Sequence, residues 1–187
     1  ETDTDDKPLV ASFWGSLGAS TMNARMLDFF RREQADGFPF HHIHAAGKSD
    51  WPHVSGELER LKLSSPLLDV RQYIYDMAVV MAAADLVISR AGASTLNEIA
   101  AAGTPCIIVP SPNVTNHHQE KNAAVLGEHG AALVLPEDGL DGKRLFTEAA
   151  ALLRDETRLA AMHEASLRLG VRDATERIYE TVMALVK

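Results

Sequence analysis

The sequence predicts a doubly wound parallel α/β sheet of the Rossmann-like kind, and three features of its pattern lead to that fold class. Short apolar runs alternate with longer segments in which apolar residues recur every three or four positions, the spacing of one helix face. Some short runs are apolar throughout, such as residues 106–109 (Cys-Ile-Ile-Val), which is typical of strands covered on both faces. Glycine turns directly after two of the runs, at Gly15 and Gly92, complete the strand–turn–helix alternation.

Each element follows from its local pattern. The first strand ends at the turn Gly15–Gly18, and helical spacing resumes at Met22, Met26 and Phe30. Asp76 precedes the third helix and is expected to cap it, because an aspartate accepts a hydrogen bond from a first-turn amide. The predicted strands are residues 9–14, 40–45, 67–70, 86–89, 106–109 and 132–135, and residues 73–74 are predicted to lie in the exit loop of the third strand. The later helices are predicted at residues 50–62, from 77 onward, at 94–102 and at 116–129, with two or three more from residue 141.

Composition limits the possible function classes. The chain has 187 residues, 46% of them hydrophobic, which suits one domain with its own core. We expect residues 8–187 to form that domain and residues 1–7 to be a disordered tail or the remnant of a linker, with further protein upstream. A net charge of −8 argues against nucleic acid as a partner, because such binders carry a basic surface. The apolar run at residues 77–84 is far shorter than the roughly 20 residues of a membrane-spanning helix.

Ligands of such sheets bind beyond the carboxyl ends of the strands. The loops predicted at that edge are residues 15–18, 72–76, 90–95 and 111–119. We therefore expect any binding chemistry in these four loops.

The first of these loops, Gly15-Ser-Leu-Gly18, follows a strand and opens a helix. Such a turn leaves backbone N–H groups free for a phosphate at the helix N-terminus. It matches neither the Gly-x-Gly-x-x-Gly dinucleotide pattern nor the P-loop pattern that ends in Gly-Lys-Ser/Thr, which argues against both classes. From spacing alone, a phosphate site and an ordinary strand–helix turn agree equally well with this segment.

Residues 90–98 (Arg-Ala-Gly-Ala-Ser-Thr-Leu-Asn-Glu) are the most informative segment. Gly92 permits a turn, after which unpaired N–H groups in the first helical turn attract an anion. Glu98 follows one turn later, and its ionised carboxylate can accept both hydroxyls of a ribose. The letters Thr95-x-x-Glu98 also match a capping box, in which Glu98 folds back onto the helix start. The local pattern by itself slightly favours the cap.

Histidines and acids raise the question of a metal site. His117-His118 and the histidines of residues 41–44 have no acid or cysteine spaced to complete a three-ligand set. Residues 3–5 (Asp-Thr-Asp) resemble a metal-binding acidic pair, but their place in a charged tail favours a solvated segment. Cys106 is the single cysteine, and its position inside an apolar strand indicates a structural residue. We expect no bound metal and no other cofactor.

Several motifs occur in order along the chain: residues 13–19 with Asn23, 73–77, 89–103, Pro110 with 118–123, and 173–177. Each motif alone is weak, whereas the set in this order and spacing is specific. Together they resemble the MurG family of UDP-N-acetylglucosamine (UDP-GlcNAc) transferases, over nearly the whole chain from residue 8. The resemblance covers only the C-terminal, donor-binding half of that family.

The resemblance implies a fold and a set of ligand contacts. The family has the two-domain GT-B fold, whose C-terminal domain holds UDP-GlcNAc at the cleft. Carried over by motif, the backbone of Ile74 would contact uracil and Glu98 would bind the ribose, which turns Glu98 from cap into ligand. The residues expected at the diphosphate are Gly15, Ser16, Gly18 and the amides of Ala93, Ser94 and Thr95. Those expected at the sugar are His118, Gln119 and Asn122, and Asn23 is also expected among the substrate-binding residues.

The resemblance further implies an activity, the inverting transfer of GlcNAc from UDP-GlcNAc to the C4 hydroxyl of lipid-linked MurNAc-pentapeptide. This step converts lipid I to lipid II in peptidoglycan synthesis. The acceptor domain and its catalytic base are not in this sequence. We therefore expect this half to bind the donor without turnover, and lipid I and the membrane to be contacted through the other domain. The full-length protein would be cytoplasmic and peripheral on the inner face of the plasma membrane.

Two departures and two alternatives remain. Trp14 and Leu17 replace a glycine and a glutamine that are frequent in the family's loop, and we expect Trp14 to narrow the cleft. One alternative is the donor subunit of a two-chain UDP-GlcNAc transferase. The other is one half of a UDP-GlcNAc epimerase with a GT-B-like fold.

Overall fold

The six strands form one sheet in which all neighbouring pairs are parallel. The computed structural model describes residues 6–186, so most of the expected tail, including residues 3–5, lies outside the described residues. The strands are β1 (Leu9–Phe13), β2 (His41–Ala45), β3 (Leu68–Arg71), β4 (Leu86–Ser89), β5 (Cys106–Ile108) and β6 (Ala132–Val134). Their order is β3-β2-β1-β4-β5-β6, with all five neighbour pairs parallel. This confirms the doubly wound α/β class.

Helices join the strands and cover both faces of the sheet. A short 3₁₀ turn, Thr115–His117, precedes the fifth helix. The helices are α1 (Ser20–Ala35), α2 (Trp51–Leu61), α3 (Met77–Ala83), α4 (Ala93–Ala102), α5 (His118–Glu128), α6 (Gly142–Leu153), α7 (Glu156–Leu169) and α8 (Ala174–Leu185). No helix among residues 6–186 is both long enough and apolar enough to cross a membrane.

The core has two parts, one on each face of the sheet, because side chains alternate along each strand. On one face Ile88 and Ile107 pack with the aromatic residues of α1 and with α6. On the other face Val87 and Ile108 pack with α3, α4 and α5. Strands between two such layers need apolar residues at successive positions, which is the pattern seen in the sequence.

Two local predictions were wrong. Asp76 stands at the start of α3 but its side chain makes no capping hydrogen bond; its carboxylate lies 3.9 Å from Nη1 of Arg71 instead. The helix expected from residue 116 begins at His118, because Asn116 and His117 adopt left-handed backbone conformations with φ of 56° and 50°. By contrast, α6 has a side-chain cap, since Asp141 accepts a hydrogen bond from the amide of Arg144.

Candidate functional site

The candidate site lies where the chain leaves the sheet in opposite directions. β1 and β4 are neighbours at the centre of the sheet; the chain continues from β1 to β2 on one side and from β4 to β5 on the other. Loops that diverge in this way open a crevice beyond the carboxyl ends of the strands, the usual ligand site of such folds. The β1–α1 loop contributes Gly15 and Ser16, and the start of α4 contributes Thr95 and Glu98.

A cavity of about 210 Å³ occupies this crevice. It brings together five of the residues predicted from the sequence: Gly15, Ser16, Ile74, Thr95 and Glu98. The remaining lining residues, Phe13, Ala45, Tyr73 and Met77, were not predicted as site residues. Tyr73 and Met77 could have been found from their position beside Ile74, in a loop already placed at this edge. Phe13 and Ala45 end two adjacent strands, so only the strand register reveals them.

The Gly15–Gly18 turn forms the first wall of the site. Its ends are joined by a hydrogen bond of 3.2 Å from the amide of Gly18 to the carbonyl of Gly15. Both glycines have φ near +87°, a region that other residues rarely adopt (86° and 88°). A Cβ on Gly18 would also collide with the carbonyl oxygen of Ala46. The turn can therefore lie directly on the β2–α2 loop only because Gly18 has no side chain, whereas a Cβ on Gly15 would meet no other atom.

The start of α4 forms the second wall. Gly92 is its N-cap residue with extended backbone angles, and no side chain caps the helix. Ala93, Ser94 and Thr95 are the first three helical residues, so their N–H groups lack helical partners. Their partial positive charge at a helix N-terminus favours an anion.

Glu98 is not part of a capping box, so that alternative was wrong. Thr95 is the third residue of α4 rather than its N-cap, and the helix begins without a side-chain cap. Within residues 6–186 the carboxylate of Glu98 has neither a hydrogen bond nor an ion pair, and it lies exposed at the cavity beside Thr95. A carboxylate in this position is available to accept hydrogen bonds from a ligand.

Gln119 and Asn122 of α5 hold the loop that precedes α4. The Oε1 atom of Gln119 accepts hydrogen bonds from the amides of Ala91, at 3.2 Å, and Ser111, at 2.9 Å. The Nδ2 atom of Asn122 donates to the carbonyl of Ala91 at 3.1 Å. In the described part of the chain, Nε2 of Gln119 has no partner, so one donor of this amide remains free. The two side chains lie beside the site but do not line the cavity.

His118 and Asn23 are placed differently from each other. His118 is exposed at the first position of α5 and bonds the carbonyl of Thr115 at 2.9 Å. Asn23 is only 1% exposed, and its amide makes three hydrogen bonds inside the protein. The structure does not bring Asn23 to the cavity, and since the side chain is buried and both of its N–H groups are used inside the protein, it is not placed for a direct ligand contact.

The expected effect of Trp14 is also wrong. Its side chain is only 5% exposed and belongs to the core on the α1 face, with its ring centroid 6.3 Å from that of His44. It does not line the cavity and so does not narrow it. Leu17, at 66% exposure, projects into solvent.

No cationic side chain lines the cavity: among the described residues, neither a guanidinium nor an ammonium group belongs to its lining. Arg90, which follows β4, instead contacts Glu137 at 2.6 Å and the carbonyl of Val109 at 3.2 Å. Burial acts to raise the pKa of Glu137, but the guanidinium groups of Arg90 and Arg25 outweigh it and hold that pKa below its ordinary value. An anion in the cavity would therefore meet backbone amides rather than a cationic side chain.

His42, His44 and Cys106 are structural residues in the interior of the protein. His42 and His44 are buried and hydrogen-bonded to other buried side chains. Burial raises the pKa of the Cys106 thiol to about 12, so this residue is not a nucleophile at neutral pH. Among residues 6–186, no three His, Cys, Asp or Glu side chains are grouped to hold a metal ion.

Comparison with known proteins adds three findings. Over 182 residues the chain is 40% identical to the UDP-N-acetylglucosamine--N-acetylmuramyl-(pentapeptide) pyrophosphoryl-undecaprenol N-acetylglucosamine transferase of Acetivibrio thermocellus, which covers 97% of this chain and 48% of that protein. It is 39% identical over 187 residues to the protein of the same name from Oenococcus oeni, covering 100% and 50%. The crystal structure of Acinetobacter baumannii MurG superposes with a TM-score of 0.80 at 25% identity, covering 98% of this chain and 54% of that one.

The chain thus spans about half the length of the curated relatives that it matches. Residues 10–178 match the family model for the glycosyltransferase family 28 C-terminal domain. That range includes the whole sheet except Leu9, the first residue of β1, and it includes both walls of the candidate site. This chain belongs to the glycosyltransferase family 28 C-terminal domain family.

Proposed function

We propose that this chain is the UDP-GlcNAc-binding half of an inverting glycosyltransferase. The full enzyme would move GlcNAc to the C4 hydroxyl of lipid-linked MurNAc-pentapeptide in peptidoglycan synthesis. The names of the two relatives above state this donor and this acceptor class. The observation that carries the proposal for this chain is the unpartnered carboxylate of Glu98, one helical turn beyond the free amides of α4 and across the cavity from Gly15 and Ser16.

Each part of the donor has a matching wall in this proposal. The backbone of Ile74 contacts the uracil edge, and the two oxygens of Glu98 accept the ribose hydroxyls. The diphosphate meets the amides of Ala93 to Thr95 on one side and the Gly15–Gly18 turn on the other. The free Nε2 of Gln119 donates to a GlcNAc hydroxyl, with His118 and Asn122 beside it.

The same walls would assist the transfer step. When the acceptor hydroxyl attacks the anomeric carbon, the bond to the diphosphate breaks and negative charge grows on the leaving UDP. Fixed backbone dipoles at a helix start stabilise that charge without having to reorient. Deprotonation of the acceptor needs a general base within hydrogen-bond reach. We place that base, the acceptor site and the contact with the inner face of the plasma membrane on another part of the full enzyme.

Binding measurements on this chain test the donor assignment. We expect UDP and UDP-GlcNAc to bind and ADP to bind far more weakly, because the backbone of Ile74 would match uracil. Equal affinity for all three nucleotides would contradict the proposal. Incubation of the full-length protein with UDP-GlcNAc alone separates the epimerase alternative, which would produce the 2-epimer without any acceptor.

Glu98→Ala tests the ribose contact directly. A hydrogen bond to a charged group contributes about 1.5–3 kcal/mol, so UDP affinity should fall about 10- to 100-fold. The wild-type chain should prefer UDP to 2′-deoxy-UDP, and Glu98→Ala should lose that preference. The melting temperature should not change, because Glu98 caps nothing. Glu128→Ala, at the exposed far end of α5, is the matched control and should leave both affinities unchanged.

A further inference from the structure

A chain of buried hydrogen bonds runs beneath the Gly15–Gly18 turn. Starting from Glu33, it passes through His42 at 2.8 Å and Ser12 at 2.7 Å to His44 at 2.7 Å. It continues from His44 to Asn23 at 3.1 Å and from Asn23 to Asp50 at 2.7 Å. All six side chains are buried. This hydrogen-bond network therefore links the interior of the α1 face to the edge of the sheet that carries the candidate site.

The donor and the acceptor of each hydrogen bond in this network can be assigned by starting from Asn23. Both N–H groups of Asn23 are used, by the carbonyl of Ala46 and by Oδ2 of Asp50, so its Oδ1 must accept from Nε2 of His44. Burial, with the nearby His42, lowers the pKa of His44 to about 3, so this ring is neutral and its Nδ1 accepts from the Ser12 hydroxyl. The Ser12 oxygen must then accept from Nε2 of His42. The direction of the chain is thus fixed from Asn23 back to His42.

One proton lies between Nδ1 of His42 and the Glu33 carboxyl group, and it can be bound to either of them. Since Nε2 of His42 donates to Ser12, its Nδ1 either carries a second proton and donates to a Glu33 carboxylate or accepts from a protonated Glu33. Both arrangements are neutral overall, which suits a pair with no exposure to solvent. Each hydrogen bond from His42 to Asp50 thus has one donor and one acceptor, and the network therefore fixes one geometry for Asn23.

Asn23 in turn fixes the segment on which the glycine turn rests. Its two N–H groups bond Ala46 and Asp50, on either side of residues 47–49. Those three residues hold the turn: the amides of Lys48 and Ser49 donate to the carbonyls of Ser16 and Leu17, and Gly47 packs directly against Gly18. Ser20, at the start of α1, completes the arrangement by donating to Oδ1 of Asp50 at 2.8 Å.

We propose that Asn23 and Asp50 are positioning residues that set the Gly15–Gly18 turn for the diphosphate of a nucleotide ligand. This inference rests on the proposed function, because it assumes that a diphosphate occupies the turn. Neither residue touches the ligand; Asn23 is sealed in the core, and Asp50 lies beneath the loop with 8% exposure. Their loss therefore weakens the diphosphate contact and leaves the uracil and ribose contacts, which other loops supply.

The test compares UDP with uridine, measured by titration followed with amide NMR spectra. For the folded Asn23→Ala variant we expect UDP affinity to fall about tenfold or more, while uridine affinity changes less than about twofold. Asp50→Ala should give the same pattern, and it decides the question if Asn23→Ala does not fold. Asp50→Asn should keep the wild-type ratio, because its Oδ1 still accepts from Asn23 and its N–H₂ group can donate to the Ser20 hydroxyl.

A control variant lowers the stability of the fold without altering the contacts of the Gly15–Gly18 turn. Leu152→Ala opens a cavity near the end of α6, about three turns of helix from Gly142, which lies against Arg25 and Asp28 of α1. It should destabilise the chain and leave the ratio of UDP to uridine affinity unchanged. If Asn23→Ala and Asp50→Ala also leave that ratio unchanged, the positioning role is refuted. If the wild-type chain binds neither UDP nor uridine, the proposed function itself fails, which is a separate result.

Discussion

Two turns face the candidate site, and the molecule holds them in different ways. The Gly15–Gly18 turn rests on a loop that Asn23 ties to buried polar side chains. The turn at Gly92 follows β4, which is apolar except for Ser89, and the neighbouring β5 is apolar throughout. It is held from the side, where Gln119 and Asn122 of α5 bond the backbone of Ala91. One turn is therefore supported from within the core and the other by half-exposed side chains.

The two kinds of support should differ in how much stability the fold loses when a supporting side chain is removed. A buried polar group that loses its partner cannot bond to water, so damage to the support of the first turn should destabilise the whole fold. Half-exposed amides can exchange a lost partner for water at smaller cost. We infer that the glycine turn has a fixed backbone conformation, whereas the side chains that hold the Gly92 turn can be replaced with a smaller loss of stability.

The largest expected effect is on the innermost member of the polar network. Glu33→Ala leaves Nδ1 of His42 buried without a partner, and removal of one member of a buried pair costs about 3–5 kcal/mol. Urea denaturation, followed by circular dichroism, should show that decrease in the free energy of unfolding. Glu33→Gln, which can still bond Nδ1 of His42, should lose distinctly less. A loss below about 1 kcal/mol in Glu33→Ala would mean that the network does not support this half of the fold.

The next effect is a dependence of stability on pH. His44 has a pKa of about 3 in the folded chain against 6.5 as its ordinary value, so only the unfolded state gains a proton on this residue between those pH values. Stability from the neutral ring is fully present above pH 6.5 and is lost as pH falls, by about 1.4 kcal/mol per pH unit. His44→Gln removes this titration. The stability advantage of the wild-type chain over His44→Gln should therefore shrink between pH 6 and pH 4, as measured by urea denaturation at each pH.

Parallel pH profiles for the two proteins would contradict that expectation. They would mean that His44 is accessible to protons in the folded state, and the first turn would then not rest on a closed network. Asn116 and His117, which precede α5 on the other side of the site, are exposed, and His117→Gln is the matched control. This variant makes the same replacement of histidine by glutamine at a position outside the buried network.

The fold class predicted from the sequence is confirmed, and several residues predicted for the site lie at one cavity, because both depend on local patterns. Apolar strands and glycine turns specify where the parallel strands end, and five predicted residues accordingly meet in one cavity. The Thr95-x-x-Glu98 pattern could not be resolved in this way. Whether it is a cap depends on where the helix begins, and that is set by the extended backbone of Gly92 rather than by the letters that follow.

Asn23 illustrates what local pattern cannot supply. A polar residue in the first turn of a helix at the ligand edge is an obvious contact candidate, but its direction depends on which face of α1 packs on the sheet. In the structure that face meets His44 of β2 and the β2–α2 loop, so the amide points inward. No local sequence pattern around residue 23 identifies residues 44, 46 and 50 as its partners.

The smallest expected effect is on the second turn. Gln119→Ala removes the acceptor that the amides of Ala91 and Ser111 share, at a position that water can reach. We expect the free energy of unfolding to fall by about 1 kcal/mol, near the value of an ordinary hydrogen bond. Urea denaturation beside Glu33→Ala gives the comparison directly. An equally large loss in both variants would remove the distinction between the two turns.

Gln119→Glu separates the structural part of this side chain from its part in sugar binding. A carboxylate still accepts from both amides and lies near the N-terminus of α5, where negative charge is favourable, so stability should return to the wild-type level. The variant lacks the free N–H₂ group that we assign to the sugar. The ratio of UDP-GlcNAc to UDP affinity should therefore fall, and charge repulsion cannot cause that fall, because the terminal phosphate of UDP carries more negative charge than the diphosphate of UDP-GlcNAc and UDP is the ligand repelled more strongly. A variant that is stable and keeps the full ratio would show that Gln119 holds the turn but does not bind the sugar.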